Sequence, residues 1–165
     1  MDFNKELQKC KNIADVFELV RKIVTIAIGR DQAGLMVGIS DLGSYPNAFV
    51  GAFYSLNSNM IIINKKPLKR IQSSKPGLYI PYVFHVLLHE YIHSLGFYDE
   101  RETRILTYTI SRYFFGEGHV VTEFATNMER FLPNLVYPNH DFHPPEGNEI
   151  EFVSRIDRGN TGYIL

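Results

Sequence analysis

A chain of 165 residues that is 45% hydrophobic and 13% aromatic, with twelve Phe and ten Tyr, has the length of one domain and the means to build a packed core, which excludes general disorder. Its formal net charge of −1 excludes the basic excess of a dedicated nucleic-acid binder and the polybasic face of a membrane-surface protein. The single cysteine, Cys10, allows neither an internal disulfide nor a cysteine metal cluster. With no signal-like start in MDFNKELQKCKNIADVF and no apolar run of about 18 residues, the chain is expected to be cytoplasmic.

From Lys5 to Gly29, apolar side chains recur at Leu7, Ile13, Phe17, Val20, Val24 and Ile28, the spacing of one amphipathic helix. Three short runs rich in β-branched and aromatic residues follow at 35–40, 48–56 and 60–63, and NSN at 57–59 is a turn signal. These read as three strands, the last two forming a hairpin. KKPLKRIQSSKPG (65–77) reads as a polar connection whose basic cluster, Lys65, Lys66, Lys69 and Arg70, is a solvated face. Helical spacing then runs from about Tyr79 or Pro81 to Leu95, again over 100–115, and again over 119–132. Residues 133–165, rich in Pro and Asn, are expected to form an irregular tail packed on the rest, with one late strand near Ile150 to Ile156. The expected fold is therefore a single α+β domain over 1–165. It has an N-terminal helix, a short mixed sheet of three to four strands with an antiparallel edge hairpin, then the histidine-bearing helix and two more.

That central helix carries HVLLHEYIHSLGFYDE (85–100). On a wheel with His85 at zero, His89, His93 and Glu90 fall at roughly 40°, 80° and 140°. Leu87, Leu88, Tyr91 and Ile92 take the opposite arc. Two imidazoles at i and i+4 can direct their nitrogens at one cation, and Glu90, beside them, can act as a base without being a ligand. The pattern is HExxH, whose chance expectation at this chain's His and Glu frequencies is roughly 1%. His85, one turn earlier, is expected to support the ligands rather than join them.

Extending the motif to Gly96 and Asp99 gives HEYIHSLGFYD, HExxHxxGxxD. This resembles the metzincin zinc peptidases, with Asp in place of their third His, as in snapalysin-type enzymes, and it would be a minimal or divergent relative of the archaemetzincins. The resemblance implies a zincin-like domain and one Zn2+ ion held by His89, His93 and Asp99. It also implies peptide-bond hydrolysis by a zinc-bound water with Glu90 as general base. The implied partner is a peptide or protein in extended conformation, paired with an edge strand for which Met60 to Asn64 is the candidate; nucleic acid and membrane are not expected partners.

Two positions admit two readings each. Asp99, followed by Glu102 at the head of an apolar periodic run, also matches a capping box. If it is a cap, the third ligand comes from His119, Glu123, Glu117 or Glu102, and a Glu on a later helix would resemble the gluzincins instead. Met128 could be the downstream methionine of metzincins, yet it shares helical spacing with Val121, Phe124 and Leu132. His140, Asp141 and His143 read as surface loop. Rival functions are a non-catalytic zinc protein, a metal-dependent hydrolase acting on something other than peptides, and a regulatory protease acting on one partner protein.

Overall fold

The computed structural model describes residues 1–43, 48–138, 142, 144–145, 147–154 and 156. Where the sequence predicts one long N-terminal helix there are two, α1 (Phe3–Lys9) and α2 (Ile13–Ile28). Asp2 caps the start of α1, accepting from the Lys5 amide, and α1 ends where Cys10 turns extended with its amide on the Leu7 carbonyl; the Asn12 carboxamide oxygen then accepts the Asp15 N–H at 2.8 Å, so a new helix starts at residue 13. Gly29, at φ 78°, ends α2 in the left-handed region.

The strands are β1 (Met36–Ser40), β2 (Phe49–Val50), β3 (Ala52–Ser55) and β4 (Met60–Asn64). β4 pairs parallel with β1 and antiparallel with β3. The expected tail strand exists in reduced form as β6 (Glu151–Phe152), antiparallel to β1, and the sheet order is β3-β4-β1-β6. A second small pair joins β2, in parallel, to β5 (Leu135–Val136). The Met60 to Asn64 strand is thus interior, not an edge: the free edge of the hairpin is β3. All of β4 is buried, as a strand flanked on both sides must be.

After β4 the chain forms α3 (Lys65–Ser74), where the sequence reading has a polar connection. Asn64 caps it: its side-chain oxygen accepts from Lys66 N and Leu42 N, and its amide donates to Val50 O at 2.7 Å. Pro67, Leu68 and Ile71 bury one face, and Pro67 is tolerated because the first turn needs no amide there. The basic side chains stay outside, with Lys65 on Glu151 at 3.0 Å and Lys66 on Asp41 at 3.9 Å.

Three helices complete the domain: α4 (Tyr79–Ser94), α5 (Glu100–Phe115) and α6 (Val120–Asn127), the last running into a single 3-10 turn over Met128–Arg130. α4 is the axis of the core, touching α2, β3 and β4 as well as α5 and α6. Tyr82, Phe84, Leu87, Leu88, Tyr91 and Ile92 are fully enclosed, and each such side chain contributes roughly 1.5–3 kcal/mol of burial free energy. Met128 belongs to the same core. Among the described residues the protein is α+β, with six α-helices and a mixed four-stranded sheet, and no helix is long and apolar enough to cross a membrane.

Candidate metal centre

Most of the polar arc of α4 is as buried as its apolar arc, His93 alone being partly exposed. His85 and His89 are 1% exposed and Glu90 is 3% exposed, because α5, α6 and the segment after them close over that side of the helix. Burying charge this way is costly unless something answers it.

Gly96, at φ 104°, breaks α4 one turn after His93 and reverses the chain. Arg30 fixes the reversal by donating to the Leu95 carbonyl and lying 5.5 Å over the Phe97 ring. The Phe97 carbonyl then turns back, accepting from His93 Nδ1 at 2.6 Å and from the Thr103 hydroxyl at 3.0 Å. With the proton on Nδ1 so placed, the outward nitrogen of His93 is Nε2.

The reversal brings Glu100, not Asp99, to the imidazoles. Glu100 Oε2 lies 3.0 Å from His93 Nε2, and Glu100 Oε1 lies 2.6 Å from His89 Nε2. His89, His93 and Glu100 are the group of ligand-type side chains among the described residues whose donor atoms, all within 4.8 Å of one another, can hold a metal ion. Asp99 is the N-cap of α5, its carboxylate accepting the Glu102 amide at 2.8 Å. The capping reading of DERE therefore describes this acid, and its neighbour is left free to face inward.

The alternative third ligands lie elsewhere. His119 caps α6, with Nδ1 accepting from Val121 N at 3.1 Å and Nε2 donating to Asn4 Oδ1 at 2.9 Å. Glu123 pairs with Arg130 at 3.6 Å. Glu117 binds Tyr108 and Arg112, and Glu102 is exposed. His140, Asp141 and His143 lie outside the described residues. His85 lies one turn before His89, with its ring 6.4 Å from that of His89 and its Nε2 2.8 Å from the Tyr137 hydroxyl.

Tyr137 was not foreseen. It stacks on His89 with centroids 4.3 Å apart and planes 18° from parallel, while Arg104 lies 4.8 Å from its ring centroid. No local pattern in a Pro- and Asn-rich tail announces this, since β5 delivers it from beyond α6. Glu100 carried one signal: once Asp99 is committed as a cap, the next acid is the first on the new helix.

The electrostatics of the group are mutual. Burial pushes His89 down, with Glu100 opposing. Burial also acts to lower His93, but its hydrogen bond to Glu100 and the charge of Glu90 outweigh it and take it up to about 8. Burial would raise Glu100, yet the two imidazoles pull it down to about 2, which keeps it anionic. Glu90 is pushed up to about 8 by burial, against the lowering effects of His93 and of a hydrogen bond from the Tyr54 backbone on β3. β3, the free edge of the sheet, packs against α4, the helix that carries the candidate base. No protein-family model, curated protein or solved structure matches the chain.

Proposed function

We propose that the protein is a zinc-dependent peptide hydrolase in which His89, His93 and Glu100 hold one zinc ion and Glu90 is the general base. One observation carries the reading. His89 Nε2 and Glu100 Oε1 are buried and 2.6 Å apart, yet neither has a hydrogen-bond partner among the described residues. With His93 they form a group of donor atoms within 4.8 Å of one another, a spacing that suits a shared cation, and a neutral His89 with its proton on Nδ1 would leave Nε2 free to ligate. Two imidazoles and one carboxylate are a donor set that zinc accepts while keeping a position open.

Bound there, zinc supplies a polarised carbonyl and a water that ionises near neutral pH. The chain supplies the rest. Glu90, whose pKa burial pushes up to about 8, would in its ionised form take a proton from the attacking water and then return it to the leaving amine. An extended peptide lying along β3 would run beside the helix that carries Glu90, since α4 packs against β3. A sheet with an antiparallel free edge beside a histidine-bearing helix is the support for a zincin-like assignment. With its third ligand on the helix after the motif, the site is closer to the gluzincin arrangement than to the metzincin one. A cytoplasmic setting belongs to the same proposal, since a lone cysteine whose thiol burial pushes up to about 11 suits a reducing compartment.

The near-complete enclosure of His89 favours one other reading, a metal that only ties α4 to α5. Metal analysis of wild type and Glu90→Gln separates the two. Hydrolysis predicts one zinc in both proteins and cleavage of an unfolded protein substrate slowed by about 10²–10⁴-fold in the variant. Equal rates would refute the base, and a wild type that takes up no metal would refute the centre.

A further inference from the structure

A cavity of about 260 Å3 opens beside His89, between α4, α5, α6 and the Tyr137 segment. At its exposed side is Arg104. The guanidinium is positioned by Tyr137, lying 4.8 Å from that ring's centroid. Its one ion pair among the described residues is a loose 4.0 Å approach to Glu100. The planar fork of N–H groups makes no hydrogen bond to a described residue, so it is available to a ligand, and its geometry matches a carboxylate.

Deeper in the cavity are His85 and Tyr137. His85 is 1% exposed, and its Nδ1 has no hydrogen-bond partner among the described residues. Neutral His85 and Tyr137 carry one N–H and one O–H between them. Their mutual hydrogen bond of 2.8 Å uses one proton. If the phenol donates to Nε2, the proton left over is on Nδ1; if Nε2 donates to the phenol oxygen, it is on Tyr137. Either tautomer leaves one donor unspent. Phe124 and Met128 supply an apolar wall, and Glu129, the one acid among the lining residues outside the centre, is exposed, where water screens its repulsion.

We infer that this cavity is a carboxylate-recognition subsite, in which Arg104 and the unspent donor of the His85–Tyr137 pair bind the acidic end of a substrate held at the metal centre. The carboxylate is either an Asp or Glu side chain next to the cleaved bond or the free C-terminus of a short peptide. This rests on the hydrolase reading above and names the substrate class for it.

The test uses full-length, zinc-loaded Glu90→Gln protein, so that binding is measured without turnover. One set of amide-capped peptides differs at a single position, Glu against Gln; a second set is identical except for a C-terminal acid against an amide. Calorimetry should show about tenfold or tighter binding of the acid member in at least one set, and which set responds identifies the source of the carboxylate. Adding Arg104→Gln should bring that ratio to near one. Arg104→Lys, which keeps the charge and loses the fork, should fall between, and circular dichroism checks that both fold. Equal binding within both sets, no binding of any acidic peptide, or a preference that survives Arg104→Gln would overturn the subsite. Wild-type cleavage of the same peptides is scored separately: selective binding without cleavage sinks hydrolysis and leaves the subsite standing.

Discussion

α4 carries two polar clusters on opposite arcs, a part-exposed one around the buried Tyr91 and a buried one around His85 and His89, and they differ in how completely they are answered. Around Tyr91 the hydrogen bonds close on themselves. Its hydroxyl donates to Asp31 and accepts from the Gln32 amide at 3.1 Å, while Arg21 holds both Asp31 oxygens at 3.3 and 2.9 Å. Gln32 continues to Asn59, which also receives the Tyr54 hydroxyl and donates to Ala33 O. On the other arc, Tyr82 Oη, His85 Nδ1, both nitrogens of His89 and Glu100 Oε1 have no hydrogen-bond partner among the described residues. Each such atom costs about 1–3 kcal/mol of stability. A closed network needs no explanation beyond the fold, joining α2, the loop after it and α4. Among the open atoms, His89 Nε2 and Glu100 Oε1 lie 2.6 Å apart, and leaving them open at the expense of stability supports the proposed metal site.

The largest effect that could break this contrast is on metal affinity. Removing a hydrogen bond to a metal ligand commonly weakens binding by 10–100-fold, so Glu100→Gln, which alters a ligand itself, should weaken zinc binding by at least about 100-fold in a competition titration with a chelator. Asp99→Ala is the matched control one residue away. It should cost about 1 kcal/mol in urea unfolding through loss of the α5 cap and leave zinc affinity as it was. The opposite pattern, with Asp99 controlling the metal, would restore the ligand set implied by the HExxHxxGxxD signature.

At the closed cluster the prediction is on stability alone. Tyr91→Phe removes one donor from Asp31 and one acceptor from the Gln32 amide and should cost about 2 kcal/mol, with zinc stoichiometry unchanged. A loss of metal in this variant would mean that the two arcs of α4 are coupled and that the contrast between them is false.

How much of this was legible beforehand follows from the range of the interactions. The helices over 79–94 and 100–115 are strongly periodic, and periodicity is local. α3 was hidden because Pro67, Leu68 and Ile71 are all the apolar side chains its buried face has, too few to show a period. The break between α1 and α2 turns on a single Asn, and strand order, which makes β3 the edge, is a long-range property that no local pattern records. His89, Glu90 and His93 could be named because one helix sets their spacing. Glu100 depends on which of two adjacent acids becomes the cap, and Tyr137 arrives through a two-residue parallel pairing of β5 with β2.

The smallest expected effect concerns pH, and it tests whether the closed cluster is purely structural. The hydrogen bond from Arg21 lowers the Asp31 pKa, burial opposes it, and Tyr91 adds to the lowering. A carboxylate whose folded pKa lies below its unfolded value of about 3.9 contributes stability that is fully present above that value and lost as pH falls through the folded one. Asp31 is exposed, so the contribution is screened to about 1 kcal/mol or less. Urea midpoints of wild type and Asp31→Asn should therefore differ by a constant amount from about pH 5 to 7 and converge only below about pH 4. Convergence already between pH 6 and 7 would assign the titration to a histidine, and would move the acid sensitivity of the fold from the Tyr91 network to the metal side of α4.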